Sequence, residues 1–389
     1  MKVSITIGGI GMTTQGRSEL GPDALAMEAV REALRDADLE AGQIGMIVVG
    51  NALGGLLSDQ SCIRGQAWLH TMGLGNAPVV NIDNGCASGT SALHVACLAV
   101  EAGQSPVLVV GVEKMWTGDR AATHAGIEHS LAASQRPGLR AELGNESGSV
   151  FMGLNSVWAS RQMAERETTV AHFAATAAKA RRHAAANPLA QHRRLVSELE
   201  VIDSTHIVGP LTRLMCSSFT DGAAALVLQR SPKAGAPRIT TSVLISGDGS
   251  SEYHVRLEEA AEQAWKEASL GPADIDLVEV HDATSAEELY ALESLGFFEP
   301  GGAGPATLAG DTEIGTPGLV VNPSGGLVAR GHPIGATGVC QVFELAQQLR
   351  GEAGDRQVAG ARVGASVNTG GIINRDVASV GVHVLAAGA

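Results

Sequence analysis

Basic residues are scarce in this chain of 389 residues: 27 Lys and Arg stand against 41 Asp and Glu, leaving a formal net charge of −14. A nucleic-acid backbone is held by clustered cations, and the basic residues that do gather are few, Lys179, Arg181 and Arg182, so no nucleic-acid partner is expected. Long apolar runs are missing too. None approaches the ~20 residues that cross a bilayer, and Met1–Thr14 reads as a β-strand without the basic start and apolar core of a secretion signal. The expected address is cytoplasmic, with no membrane span. Aromatics amount to 3% while glycine reaches 49 residues, which favours tightly packed small-residue elements with many turns over an aromatic-rich binding surface. The five cysteines, Cys62, Cys86, Cys97, Cys216 and Cys340, are odd in number and irregularly spaced. That spacing fits neither a disulfide framework nor a zinc site, so free thiols and no metal are expected.

What is present suits a globular chain with sizeable cores, 44% hydrophobic and 17% charged. One pattern occurs twice. Pro22–Asn51 carries an amphipathic helix, MEAVREALRDADL, then the apolar run IGMIVVGN; Tyr253–Asp282 carries EEAAEQAWKEASL, then IDLVEVHD. Helical spacing that switches to a short continuous apolar run is the signature of a helix packed on a strand buried on both faces. A second echo follows in each copy. Gly85–Gly103 is a glycine-bearing turn feeding an apolar helix and the strand Pro106–Gly111; Gly331–Gly351 feeds a helix and then Gln357–Val367. Two α/β halves of similar build are predicted, residues 1–230 and 231–389, joined at the Pro/Gly/Lys-rich segment Ser231–Arg238. Within the first half, about 116–205 is polar and helical, an inserted lobe, and Asp221–Gln229 returns to strand character.

Four segments carry candidate chemistry. Cys86 follows the apolar strand APVVNI and opens an Ala/Leu/Val-rich helix; a helix N-terminus favours a thiolate, although an isolated cysteine at such a turn is more often a small buried residue. His332, in GHPIGATG, occupies the equivalent turn of the second half, with Pro333 placed to set φ at the first helical turn. A lone histidine before proline is usually a structural hydrogen-bonder, but a pseudo-twofold arrangement brings this one to Cys86. His281, in HDATS, ends the strand DLVEV, where α/β sheets place functional side chains. The glycines of Ser366-Val-Asn368-Thr-Gly370-Gly371, after ARVGA, can aim N–H groups at an oxyanion or simply form a turn.

These four segments, in this order, together with RRHAAANP at Arg181–Pro188 and SSFTDGAAALVL at Ser217–Leu228, resemble the thiolase superfamily over nearly the whole chain, closest to the sterol-carrier-protein-type thiolases. The resemblance implies an α/β fold of five layers, αβαβα, with two pseudo-symmetric halves and an inserted helical loop domain that helps hold CoA. It implies CoA and acyl-CoA as substrates with no permanently bound cofactor, a homodimer or tetramer, and a possible small partner protein carrying an OB-fold and zinc ribbon. Residue by residue, Cys86 is the acylated nucleophile and His332 the base that activates it. His281 stands where many thiolases carry asparagine and, with His332, holds a thioester oxygen. The N–H groups of Cys86 and Gly370 form the oxyanion hole. Ser217, Arg182 and His183 are candidates for CoA contact. Trp116, Phe151, Met152, Trp158 and Phe219 are pocket-lining or core residues.

The pattern breaks at one point. Thiolases that make or break carbon–carbon bonds use a second cysteine as acid and base at the substrate α-carbon, and its two family positions hold Asn368 and Ala283 here. Neither side chain shuttles a proton near neutral pH. Three readings stay open: His281 takes over the proton transfer; a decarboxylative condensation, as in ketosynthases with a Cys–His–His set, needs no α-proton removal; or the protein only transfers acyl groups. The leading expectation is cleavage of a 3-oxoacyl-CoA by CoA, or the reverse condensation. A non-catalytic thiolase-like subunit is a further alternative. A retro-aldolase is disfavoured, since that branch uses tyrosines where this chain keeps histidines, and Tyr253 and Tyr290 are its only two.

Overall fold

The computed structural model describes residues 4–143, 148–230 and 234–388. The chain begins with strand β1 (Ile5–Met12) and helix α1 (Pro22–Ala37). Pro22 and Asp23 suit the first turn of α1, and the helix buries Leu25, Ala26, Ala29, Val30, Ala33, Leu34 and Ala37, a three-and-four spacing that makes one apolar stripe. Strands β2 (Met46–Gly50) and β3 (Val79–Ile82), helix α2 (Ser88–Glu101) and strand β4 (Val107–Glu113) follow. Next come several helices, the longest being α3 (Val150–Glu165) and α4 (Val170–Ala185), before strand β5 (Gly222–Gln229).

The second half runs β6 (Arg238–Ser246), α5 (Tyr253–Ala268), β7 (Leu277–Glu279), α6 (Ser285–Ser294), β8 (Val320–Val321), α7 (Thr337–Arg350), β9 (Val363–Ile373) and β10 (Asp376–Ala386). Strand order is β3-β2-β4-β5-β1 in the first half and β8-β7-β9-β10-β6 in the second. The two orders match strand for strand. They meet edge to edge at β1 and β6, through Ile5 opposite Ile239 and Thr6 opposite Arg238. The internal echo in the sequence is therefore a repeat of topology.

Alternation along β4 builds the layers. Leu108, Val110 and Val112 join the core shared with α1, while Val107 and Val109 join the core shared with α2 and α7. Helices α2 and α7 form the middle layer between the two five-stranded units, and α5 and α6 cover the outer face of the second. The two middle helices cross close to their N-termini. A Cβ on Gly338 would lie 2.5 Å from Thr90 N, so the glycine lets the two backbones approach to near contact. That crossing carries the turns ahead of α2 and α7 to one place.

Several boundaries differ from the sequence reading. The linker expected at Ser231–Arg238 starts outside the described residues, at 231–233, and Arg238 already opens β6. Pro333 has φ −72 and ψ 99, extended, and precedes a short 3-10 turn (Ile334–Ala336), so α7 starts only at Thr337. The segment 366–371 is the interior of β9 rather than a loop after it, because Ser366 to Gly370 pair in register with His383 to Ser379 of β10. Among the described residues, no helix is long and apolar enough to cross a membrane.

Candidate active site

The Cys86 turn is held by its own backbone. Gly85 takes φ +56, Ala87 N–H donates to Asn84 O at 3.0 Å, and Ser88 Oγ donates to Gly85 O at 2.7 Å. Cys86 is thus presented just before α2, half-buried, against an apolar cluster of Leu53, Met115 and Ile334 with Leu57, Ile127 and Phe219 at its margin. His332 faces it from the turn before α7. Its N–H donates to Thr220 Oγ1 at 2.9 Å, and its Nδ1 lies 2.8 Å from Thr337 Oγ1. The single Thr337 hydroxyl proton goes to Pro333 O at 3.0 Å. Thr337 therefore accepts from His332, which assigns the imidazole proton to Nδ1 and leaves a lone pair on Nε2.

His281 completes the group. Its Nδ1 is 2.9 Å from Glu287 Oε1 and 3.0 Å from Thr369 Oγ1, while Nε2 is buried without a protein partner. A carboxylate only accepts, so Nδ1 is the donor. Cys86, His281 and His332 each offer one atom, and these lie within 4.8 Å of one another; the two imidazole rings stand 5.1 Å apart, edge to face.

The two histidines are driven in opposite directions. Burial alone lowers the pKa of His281, but the Glu287 carboxylate and the contact with Cys86 outweigh it and raise the value to about 10. His332 is pushed well below 6.5 by burial first, then by the charges of His281 and Arg330. The two shifts thus favour the charged form of His281 and the neutral form of His332. Gly370 of β9 presses on the Cys86 turn, and a Cβ there would collide with Ala87 N and Asn84 O. Gly370→Ala should cost ~1–3 kcal/mol of stability from overpacking and slow turnover by ~10²–10³-fold if Gly370 supplies an oxyanion donor; denaturant melts and steady-state rates measure the two.

A thiolase N-terminal domain model matches residues 5–231, and a thiolase C-terminal domain-like model matches residues 247–382. The chain belongs to the thiolase family. It is 38% identical to an acetyl-CoA acetyltransferase of Methanothermobacter thermautotrophicus over 88% of this chain and 90% of that protein. It is 33% identical to human sterol carrier protein 2 over 93% of this chain and 69% of that protein. Benzoylsuccinyl-CoA thiolase subunit BbsB of Thauera aromatica is 31% identical, with 94% of each chain covered. Among solved structures, an Ltp2-ChsH2(DUF35) aldolase superposes with TM-score 0.82 at 24% identity, covering 99% of this chain and 98% of that one. Human mitochondrial 3-ketoacyl-CoA thiolase in complex with CoA superposes with TM-score 0.73 at 16% identity, covering 100% and 98%. The protein is an acyltransferase.

The two positions where the resemblance leads a second cysteine to be expected hold Asn368 and Ala283. Asn368 is fully buried in β9 with neither amide atom hydrogen-bonded, and Ala283 offers only its carbonyl, to Ser217 N–H at 2.9 Å. Of the other cysteines, Cys97 and Cys216 are pushed up to about 12 and Cys340 to about 11, all chiefly by burial, and Cys62 is exposed.

The expected CoA contacts fare unevenly. Arg182 is paired with Glu313, and His183 is buried with Nδ1 on Asn322 O and Nε2 accepting from Ile314 N–H, which ties it into the fold. Sequence reasoning places Arg181 in the basic group but not among the CoA contacts. Its Nε is buried without a partner, and burial and the neighbouring charges of Arg194 and Arg213 lower its pKa to about 10. Ser217 is half-buried beside the His281 loop. Of the aromatic candidates, Phe219 borders Cys86 and Trp116 donates to Phe219 O at 2.8 Å, whereas Trp158 is core, stacked on Tyr253 at 4.5 Å; Phe151 and Met152 pack on the same core. A cleft of about 530 Å³ touches Asn84, Gly85 and Gly370, but none of Cys86, His281 or His332 lines it. The residues sequence reasoning missed are Thr337, Thr369 and above all Glu287.

Proposed function

We propose that the protein carries an acyl group as a thioester on Cys86 and cleaves a 3-oxoacyl-CoA with CoA, or runs the reverse condensation. The observation that supports this is the meeting of Cys86 Sγ with two imidazoles within 4.8 Å, one with its pKa raised and the other with its pKa lowered by its neighbours. His332 Nε2 takes the thiol proton as sulfur attacks the 3-keto carbon. The C2–C3 bond breaks, its electron pair leaves with the shorter acyl-CoA as an enolate, and the acyl group stays on Cys86 until CoA removes it. The N–H groups of Cys86 and Gly370 hold the oxyanion, and Arg181 with Arg194 and Arg213 offers the CoA phosphates a cationic site.

A decarboxylating condensation is the second reading, favoured by the lack of a second cysteine in the site. A small partner protein also belongs to the proposal, since one structural relative is an aldolase named for two components. Incubation with short, branched and aromatic acyl-CoAs should add the mass of one acyl group at Cys86 by intact mass spectrometry. An unchanged mass across the panel would rule the thioester out. Turnover of 3-oxoacyl-CoA substrates, with and without malonyl-CoA, separates thiolysis from decarboxylative condensation.

A further inference from the structure

Glu287 stands three residues after Thr284, the N-cap of α6, and Thr284 Oγ1 accepts from Glu287 N–H at 3.3 Å. In that T-x-x-E arrangement the glutamate ordinarily reaches back to the N-cap N–H. Here it does not. Its Oε1 accepts from His281 Nδ1 at 2.9 Å and from Tyr253 OH at 2.5 Å, and its Oε2 is buried without a partner. Burial pushes the Tyr253 hydroxyl well above 10, so it remains a donor. A carboxylate is thus kept inside the protein, against its solvation, with one imidazole as its main counter-charge. Local rules are broken in this way at functional sites.

We infer that Glu287 is the positioning residue that lets His281 stand in for the missing second cysteine: by holding Nδ1–H of His281 it keeps that ring protonated and aims Nε2–H at the substrate α-carbon. The inference rests on the thiolytic reading above. In cleavage, the C2–C3 electron pair becomes the enolate of the departing acyl-CoA, and His281 Nε2 gives its proton to C2, becoming neutral while Nδ1–H stays on Glu287. The CoA thiol then passes its proton to His281 Nε2 as its sulfur bonds the acyl carbon, and Cys86 sulfur leaves with the proton stored on His332. Acid, base and both thiols are restored. Condensation is the same sequence reversed, with neutral His281 taking the α-proton.

Of the other charged groups nearby, Asp282 accepts from Leu327 N–H and Val328 N–H, Glu288 pairs with Lys179 and takes Asn322 Nδ2, and Arg330 pairs with Glu279 through Nη1 while its Nε and Nη2 have no partner; Tyr253, Cys86 and His332 are titratable neighbours. Because the acid form of His281 is required for cleavage, activity holds through neutral pH and falls as pH rises through about 10.

The test compares Glu287→Gln, Glu287→Asp and Thr369→Val with the parent enzyme. Expected for Glu287→Gln is the same one-acyl adduct on Cys86, formed more slowly than in the parent, since the departing CoA also takes its proton from His281 Nε2 in that step. Its kcat for 3-oxoacyl-CoA cleavage falls ~10²–10⁴-fold with little change in KM, and its alkaline limb moves down by ~1–3 pH units. Glu287→Asp keeps the charge and falls between. Thr369→Val removes a contact to the same nitrogen without changing charge, so its alkaline limb stays near the parent's. Parent-like kcat and an unmoved limb in Glu287→Gln, or an equal shift in Thr369→Val, overturns the assignment. Failure of the parent itself to acylate at Cys86 instead overturns the thiolytic reading on which it rests.

Discussion

Cys86→Ala should leave a folded protein that binds acyl-CoA and turns none over, with kcat lowered by roughly 10⁴–10⁶-fold. The position is half-buried, the change removes a single sulfur, and the turn that holds it is made by Asn84, Gly85, Ala87 and Ser88 rather than by the thiol. Melting should therefore move little while chemistry is lost. No neighbour takes its place, since the two closest reactive groups are imidazoles, and the buried thiols Cys97, Cys216 and Cys340 are far less acidic than an ordinary cysteine. Mass spectrometry of the variant after exposure to acyl-CoA should find no adduct. An adduct elsewhere, or turnover within tenfold of the parent, would remove Cys86 from the mechanism.

His332→Gln should slow formation of that adduct by roughly 10²–10⁴-fold. The histidine donates Nδ1–H to Thr337 and offers only Nε2 as an acceptor, whereas glutamine keeps the bulk and cannot take up the thiol proton. The pH profile gives a second reading. His332 is held well below 6.5 by burial and by the positive charge of His281, so in the parent the base stays neutral as pH falls, and acylation declines only well under pH 6.5. If the parent loses acylation with a midpoint near 6.5, the depressed base and its charged neighbour are wrong. Neutralising the neighbour through Glu287→Gln should also relax His332 upward, so the acidic limb of acylation is expected to rise in that variant.

The legible part of the molecule was the part that repeats. Helix α1 and α5 show the same apolar spacing and the same left-handed cap, at Asp38 and Ser269; the strand after α1 is a continuous apolar run, and the one after α5, Leu277–Glu279, ends in a buried glutamate. That repetition placed Cys86 and His332 at equivalent turns, although nothing in one sequence gives the distance between them; Gly89 and Gly338 set that distance through the helix crossing. Glu287 was hidden because T-x-x-E already has an ordinary meaning at a helix start, and only the fold shows the carboxylate diverted. The basic run at Arg181–His183 misled for a related reason. Neighbours on a helix point about 100° apart, so Arg182 meets Glu313, His183 turns into the fold and Arg181 is the one left with an unpartnered nitrogen. The strand character of 366–371 was masked by its small residues, whose alternation carries no hydrophobic signal.

The crossing of α2 and α7 has a kinetic meaning. Each half supplies one strand, one turn and one helix start, and in the mechanism proposed above each is chemically incomplete, one holding the thiol and the other its base. Two separate copies would have to find each other in solution before any proton moved. Carried on one chain, the encounter is intramolecular, so nucleophile and base meet at an effective concentration that dilution does not change.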